Sequence, residues 1–119
     1  MKILIIDDDN FFTLLFEQSI KNLRSDCEVI TFENGKKGLD YIGEKGLPDI
    51  IFLDLNMPVM DGFIFLQNMG KRTDLEKTKI YMVSAVVDED DKKDIEDIGI
   101  IEELLTKPVE EDLLMKILK

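Results

Sequence analysis

Short runs of unbroken apolar residues, each stopped by an acid or a hydroxyl, constrain this chain more than any other feature. Ile50-Ile51-Phe52-Leu53 follows Pro48-Asp49 and stops at Asp54. Ile3-Leu4-Ile5-Ile6 stops at Asp7-Asp8-Asp9, and Ile80-Tyr81-Met82-Val83 stops at Ser84. An all-apolar run this short, bounded by turn residues, fits a strand buried on both faces, as in a parallel sheet. The terminal residue then sits at the carboxyl end of its strand, where open α/β sheets bind ligands.

Between these runs the spacing turns helical. Phe12, Leu15, Phe16, Ile20 and Leu23 recur at helical intervals, with Asp9 or Asn10 placed to cap them. Val29 to Phe32 predicts a short strand, with Asn34-Gly35 as the turn out of it. Leu39 and Ile42 mark a short helix ending near Gly43 or Gly46. After the loop Leu55 to Gly62, a helix runs through Phe63, Leu66 and Met69. Asp88 to Ile98 predicts a strongly acidic helix with Ile95 and Ile98 facing inward, stopped by Gly99. Glu103 to Thr106 is a last short strand, followed by Lys107-Pro108. Glu110 to Leu118 closes the chain as a helix burying Leu113, Leu114 and Ile117. Five strands alternating with five helices predict right-handed βαβ units in an α/β fold, a parallel sheet covered on both faces. A length of 119 residues, with no internal repeat and no linker, predicts one domain over 1–119.

Composition narrows the chemistry. The 45% apolar and 34% charged residues fit a soluble globular protein, and no apolar run reaches membrane-spanning length. Met1-Lys2 leads straight into a strand rather than a signal peptide, and the single cysteine, Cys27, suits a reducing cytoplasm. A formal charge of −11 argues against a nucleic-acid surface. The chain has no histidine, which excludes Ser-His and Cys-His catalysis and His-bearing zinc sites. Without a histidine to activate it, Cys27 reads as a packing residue. What remains is carboxylates, hydroxyls, lysines and a hard metal ion.

In a parallel sheet the strand ends share one edge, so Asp7-Asp8, Asp54, Ser84 and Lys107 converge there. Carboxylates a few Å apart repel by about 4 kcal/mol per pair at an effective dielectric near 20. A hard, oxygen-liganded cation such as Mg2+ supplies the counter-charge. Lys107 is a mobile point charge suited to a phosphoryl oxygen, and the Ser84 hydroxyl can bond to another. A carboxylate nucleophile beside Mg2+, with a lysine and a hydroxyl opposite, is a site for forming an aspartyl phosphate. Taken singly, each residue has a plainer reading: a turn-forming aspartate, a structural serine, a solvated lysine. Their agreement at the strand ends favours the functional one.

The acidic pair Asp7-Asp8, the DLNMPVMDG segment around Asp54, Ser84-Ala85 and Lys107-Pro108, in this order and spacing, make the chain resemble the receiver domain of two-component response regulators from end to end. The resemblance implies a flavodoxin-like sheet of strand order 2-1-3-4-5. It implies that Asp54 is the phosphoacceptor, charged by a sensor histidine kinase or a phosphotransfer protein. It implies that Asp8 ligates Mg2+ (or Mn2+ in its place) directly, with Asp7 acting largely through water. It implies that Asp54 and the backbone carbonyl of Asn56 complete the metal's protein ligands. It further implies that Lys107 pairs with the phosphoryl group, that Ser84 is the switch hydroxyl, and that the Lys107-Pro108 bond is cis. The output is then a conformational switch acting on a downstream protein, with no metabolic turnover beyond its own phosphorylation and dephosphorylation.

Three features depart from that family's pattern. Leu104 stands three residues before the lysine, where the family often has an aromatic switch residue. Asp9 adds a third consecutive acid, read as a helix cap. Asp88-Glu89-Asp90-Asp91 makes the start of the fourth helix acidic, which suits the helix dipole and discourages acidic partners. Met57, Met60 and Met69 read as loop and core filler. Two other classes are weighed. A Mg2+-dependent aspartyl-nucleophile phosphatase usually has a second aspartate two residues after the nucleophile, where Asn56 stands. A calcium module is disfavoured because Val59 replaces the glycine of an EF-hand loop. A receiver-like interaction module that takes no phosphoryl group is the remaining alternative. With the sequence ending at Lys119 straight after the last helix, the expectation is either a stand-alone receiver or one cut from a longer regulator.

Overall fold

The computed structural model describes residues 1–55, 57, 60–85 and 89–119. Along the chain lie β1 (Lys2–Ile6), α1 (Asn10–Leu23), β2 (Glu28–Phe32), α2 (Gly35–Lys45), β3 (Ile50–Asp54) and α3 (Gly62–Met69). A 3-10 turn at Leu75–Lys77 precedes β4 (Lys79–Ser84), α4 (Glu89–Ile98), β5 (Glu103–Thr106) and α5 (Glu111–Ile117). The strands form one sheet in the order β2-β1-β3-β4-β5, every neighbouring pair parallel. The order implied by the family resemblance is the order observed.

Side-chain alternation explains why the central strands are apolar throughout. Successive residues of a strand point to opposite faces, and both faces are covered. Ile3, Ile5, Ile50, Phe52, Tyr81 and Val83 enter one core with Phe16 and Ile20 of α1 and Leu114 and Ile117 of α5. Leu4, Ile6, Ile51, Leu53, Ile80 and Met82 enter the other, with Ile42 of α2, Phe65 and Leu66 of α3 and Ile95 of α4. Each fully buried side chain of this kind contributes about 1.5–3 kcal/mol. Two polar breaks in β1 or β3 would therefore cost about 3–6 kcal/mol, a large share of a domain's net stability of about 5–15 kcal/mol. β2, at the sheet edge, is only half-buried and carries Glu28 and Thr31 outward.

Helix ends follow local chemistry. Asp9 caps α1, its side chain accepting the Phe12 N–H at 3.0 Å. Asn34 caps α2 through the Lys37 N–H at 2.9 Å, and Asp61 caps α3 through the Ile64 N–H at 3.0 Å. Gly46 (φ 90°) ends α2 and Gly99 (φ 78°) follows α4, both in a backbone region that side chains disfavour. The expected boundaries shift by a residue or so. β2 begins at Glu28, and Glu110 and Leu118 flank α5 as caps rather than lying in it. Ile95 is fully buried while Ile98 is half-buried. The expected start of α4 at Asp88 lies outside the described residues. Cys27 is a buried free thiol in the α1–α5 core, the packing role expected.

Candidate active site at the carboxyl edge of the sheet

Strand register brings the expected residues to one edge. Ile6 pairs with Leu53, Asp54 with Val83 and Ser84 with Thr106, so Asp7, Asp54, Ser84 and Lys107 end or follow adjacent strands. Asp7 is 3% exposed and Asp54 6%, whereas Asp8 faces solvent. Oxygens of the three carboxylates lie within 4.8 Å of one another.

Each group is held by identifiable contacts. The Asp7 N–H donates to Phe32 O at 3.0 Å, prolonging the β1–β2 ladder past the end of β1. Its Oδ1 accepts the Asp9 N–H at 2.9 Å, and its Oδ2 lies 2.8 Å from Lys107 Nζ. The same ammonium is 3.7 Å from Asp54 Oδ2 and 4.5 Å from the centre of the Phe12 ring. The Lys107 N–H donates to Ser84 O at 2.9 Å, which fixes its backbone beside the end of β4, and its bond to Pro108 is cis. Ser84 is 2% exposed at the end of β4. After Asp54 the chain folds back, with the Gly62 N–H donating to Leu55 O at 2.9 Å. A Cβ at Gly62 would stand 2.7 Å from Asp54 O and 3.0 Å from Leu55 Cα. Both atoms are backbone and cannot yield.

Among the described residues, three carboxylates and one ammonium leave the site short of positive charge. A hard cation suits this set, since Mg2+ takes carboxylate and water oxygens at about 2.0–2.1 Å in an octahedron. Opposed oxygens are then about 4 Å apart, close to the 4.8 Å that encloses the three carboxylates here. Asp9 is not part of this cluster and acts as the α1 cap. Leu104 is half-buried against the core beneath α4 and lines the grooves on either side of β5. The expected Asn56 carbonyl ligand lies outside the described residues. Two residues of the site escaped the sequence reading. Phe12 was one of several apolar helix positions, and only its place three residues after the capping aspartate hinted at the sheet edge. Gly62 appeared merely as the end of a loop.

A family model of the response regulator receiver domain matches residues 3–119. The chain belongs to that family. Among curated relatives, this receiver is 32% identical over 116 residues to the cell cycle response regulator CtrA of Brucella ovis and of Brucella abortus. Those 116 residues are 97% of this chain and 47% of CtrA, so the receiver spans about half the length of the curated relatives it matches. Among solved structures it resembles the chemotaxis protein CheY4 of Vibrio cholerae, 26% identical with a TM-score of 0.83, covering 98% of this chain and 94% of that one. It also resembles the phosphorylated cyanobacterial phytochrome response regulator RcpA, 27% identical with a TM-score of 0.82, covering 99% and 88%. No helix of the described receiver is long and apolar enough to cross a membrane.

Proposed function

We propose that Asp54 is the phosphoacceptor of this receiver, charged by a phosphohistidine of a sensor histidine kinase or phosphotransfer protein in a Mg2+-dependent reaction in the cytoplasm. The observation that carries this reading is the placement of Lys107 Nζ, 2.8 Å from Asp7 and 3.7 Å from the buried Asp54, within a three-carboxylate cluster. The relative RcpA, solved in a phosphorylated form, supports it.

In the reaction an Asp54 oxygen attacks phosphorus, the P–N bond to the donor imidazole breaks, and the imidazole nitrogen keeps the electron pair. Asp7, Asp8 and Asp54 would hold the metal, with the Asn56 carbonyl. When bound, the ion offsets the charge on the phosphoryl oxygens. Lys107 moves its charge from carboxylate to phosphoryl oxygen, and the Ser84 hydroxyl turns toward another. Charge-assisted bonds of this kind contribute about 1.5–3 kcal/mol each. Two or three of them reach the roughly 5.5 kcal/mol needed to move a two-state equilibrium from 1:99 to 99:1. The whole described chain works as one receiver unit, and its output is that population shift, read by a downstream protein.

The test is intact mass after incubation with acetyl phosphate, with Mg2+ or with EDTA, for wild type and Asp54→Asn. A gain of one phosphoryl group only in wild type with Mg2+ supports the reading. No gain in folded wild type with Mg2+ would leave an interaction module that is not phosphorylated.

A further inference from the structure

We propose that Phe12 is a positioning residue for Lys107, its ring holding the ammonium over Asp54 once a divalent cation has taken up the charge of Asp7. The proposal rests on the reading of Asp54 as phosphoacceptor.

The ring is placed by the sequence around it. Phe12 is the third residue of α1, and its N–H is the one that Asp9 caps at 3.0 Å. The helix start is thereby fixed beside Asp7, whose Oδ1 accepts the Asp9 N–H. The Phe12 ring stacks on Phe16, with centroids 5.2 Å apart, and Phe16 meets Phe52 edge-on at 4.8 Å. Phe52 precedes Asp54 by two residues in β3. The seat of the ammonium and the acceptor carboxylate are therefore joined through one run of packed aromatic rings.

The contact has the geometry of a cation–π interaction. Lys107 Nζ lies 4.5 Å from the ring centre, inside the roughly 6 Å at which the ring quadrupole attracts a cation. Only 14% of the lysine side chain is exposed, and such attraction grows as the cation is desolvated. Among the described residues, two carboxylates and this ring lie around the ammonium. Asp7, Asp8 and Asp54 would have two of their three negative charges offset by a divalent cation held among them, which would also repel the ammonium. The ring is uncharged and takes no part in metal binding, so its attraction survives. Without it, a flexible four-carbon stem would carry the charge toward solvent. A merely structural Phe12 requires only apolar volume against Phe16, which leucine supplies. A positioning Phe12 requires a ring face, which tyrosine keeps.

Two variants, Phe12→Leu and Phe12→Tyr, separate these roles in the full chain. The first readout is the NMR shift of the Lys107 ε-methylene protons, recorded with saturating Mg2+ and no phosphodonor. Wild type and Phe12→Tyr should show an upfield ring-current shift that Mg2+ does not remove, and Phe12→Leu should lack it. The second is the initial rate of phosphoryl gain from acetyl phosphate at saturating Mg2+. Phe12→Leu should be slower by about 5- to 30-fold, the factor that corresponds to a partly desolvated cation–π contact. Phe12→Tyr should stay within about twofold of wild type, with half-saturating Mg2+ unchanged in both variants. A wild-type shift that collapses when Mg2+ is added overturns the proposal, as does a Phe12→Leu rate equal to wild type. Should Phe12→Leu fail to fold, the wild-type shift with Mg2+ still decides. Wild type that takes no phosphoryl group at all would instead strike the reading of Asp54.

Discussion

Asp8→Asn is predicted to make the metal-free receiver more stable while weakening its hold on Mg2+. The oxygens of Asp7, Asp8 and Asp54 lie within 4.8 Å of one another. At that separation and an effective dielectric near 20, each pair repels by about 3.5 kcal/mol. Asp8 belongs to two of the three pairs. Lys107 offsets the other two acids through contacts of 2.8 and 3.7 Å, neither of which involves Asp8. Because Asp8 is exposed, solvent screens most of the repulsion, and about 1–2 kcal/mol is the share that removing its charge should recover. For a domain of this size that raises the melting temperature by about 4–8 °C. The assay is thermal unfolding followed by circular dichroism in EDTA at low salt. Wild type should then gain about 2.7 kcal/mol from Mg2+ at a hundred times its dissociation constant, a gain that Asp8→Asn largely loses. A variant that melts at or below wild type in EDTA would refute the reasoning. So would an equal response of the two proteins to Mg2+.

Three further predictions rest on contacts at the site and in the core. Lys107→Met strips the ammonium from two buried carboxylates and should cost about 3–5 kcal/mol in urea unfolding with EDTA, part of it restored by Mg2+; an unchanged midpoint would show that the pair compensates nothing. Gly62→Ala forces a methyl group against the backbone of Asp54 and Leu55, which should cost about 1–3 kcal/mol and slow phosphoryl gain at Asp54; wild-type kinetics in the folded variant would contradict the close approach. Burial, helped by Glu102 and Glu103, raises the Tyr81 phenol above its ordinary 10.0. The unfolded chain then loses this proton first, so the stabilisation is full below pH 10 and is lost as pH rises through the folded value. Tyr81→Phe should flatten the fall of the urea midpoint with pH above about 10, and parallel slopes would refute it.

What the sequence made legible is what periodicity and strand ends dictate. Ile50 to Asp54 is buried on both faces and ends in its acid at the carboxyl edge, as four apolar residues before a carboxylate predict. Once the sheet is parallel, Asp7, Asp54, Ser84 and Lys107 have no other edge to share. Asp9 was legible as a cap because an acid before an apolar-periodic helix satisfies a free N–H. Phe12 was not, since its ring reaches Lys107 only through the rotation of α1, which the Phe16–Phe52 contact sets across the core. Gly62 was equally hidden: the approach of α3 to the Asp54 carbonyl is a matter of tertiary packing, and a glycine in a loop signals many other things. The turn at Leu75–Lys77 carries no periodic signal and is anchored from afar, the Thr78 hydroxyl donating to Pro48 O at 2.7 Å.

The most direct test of the account is to trap the acceptor itself. Receiver incubated with acetyl phosphate and Mg2+ is reduced with borohydride, which converts an aspartyl phosphate to homoserine, and its peptides are then sequenced by mass spectrometry. The account predicts homoserine at Asp54 and nowhere else, lost with EDTA. Homoserine at Asp7, Asp8 or another acid, with Asp54 intact, would contradict it.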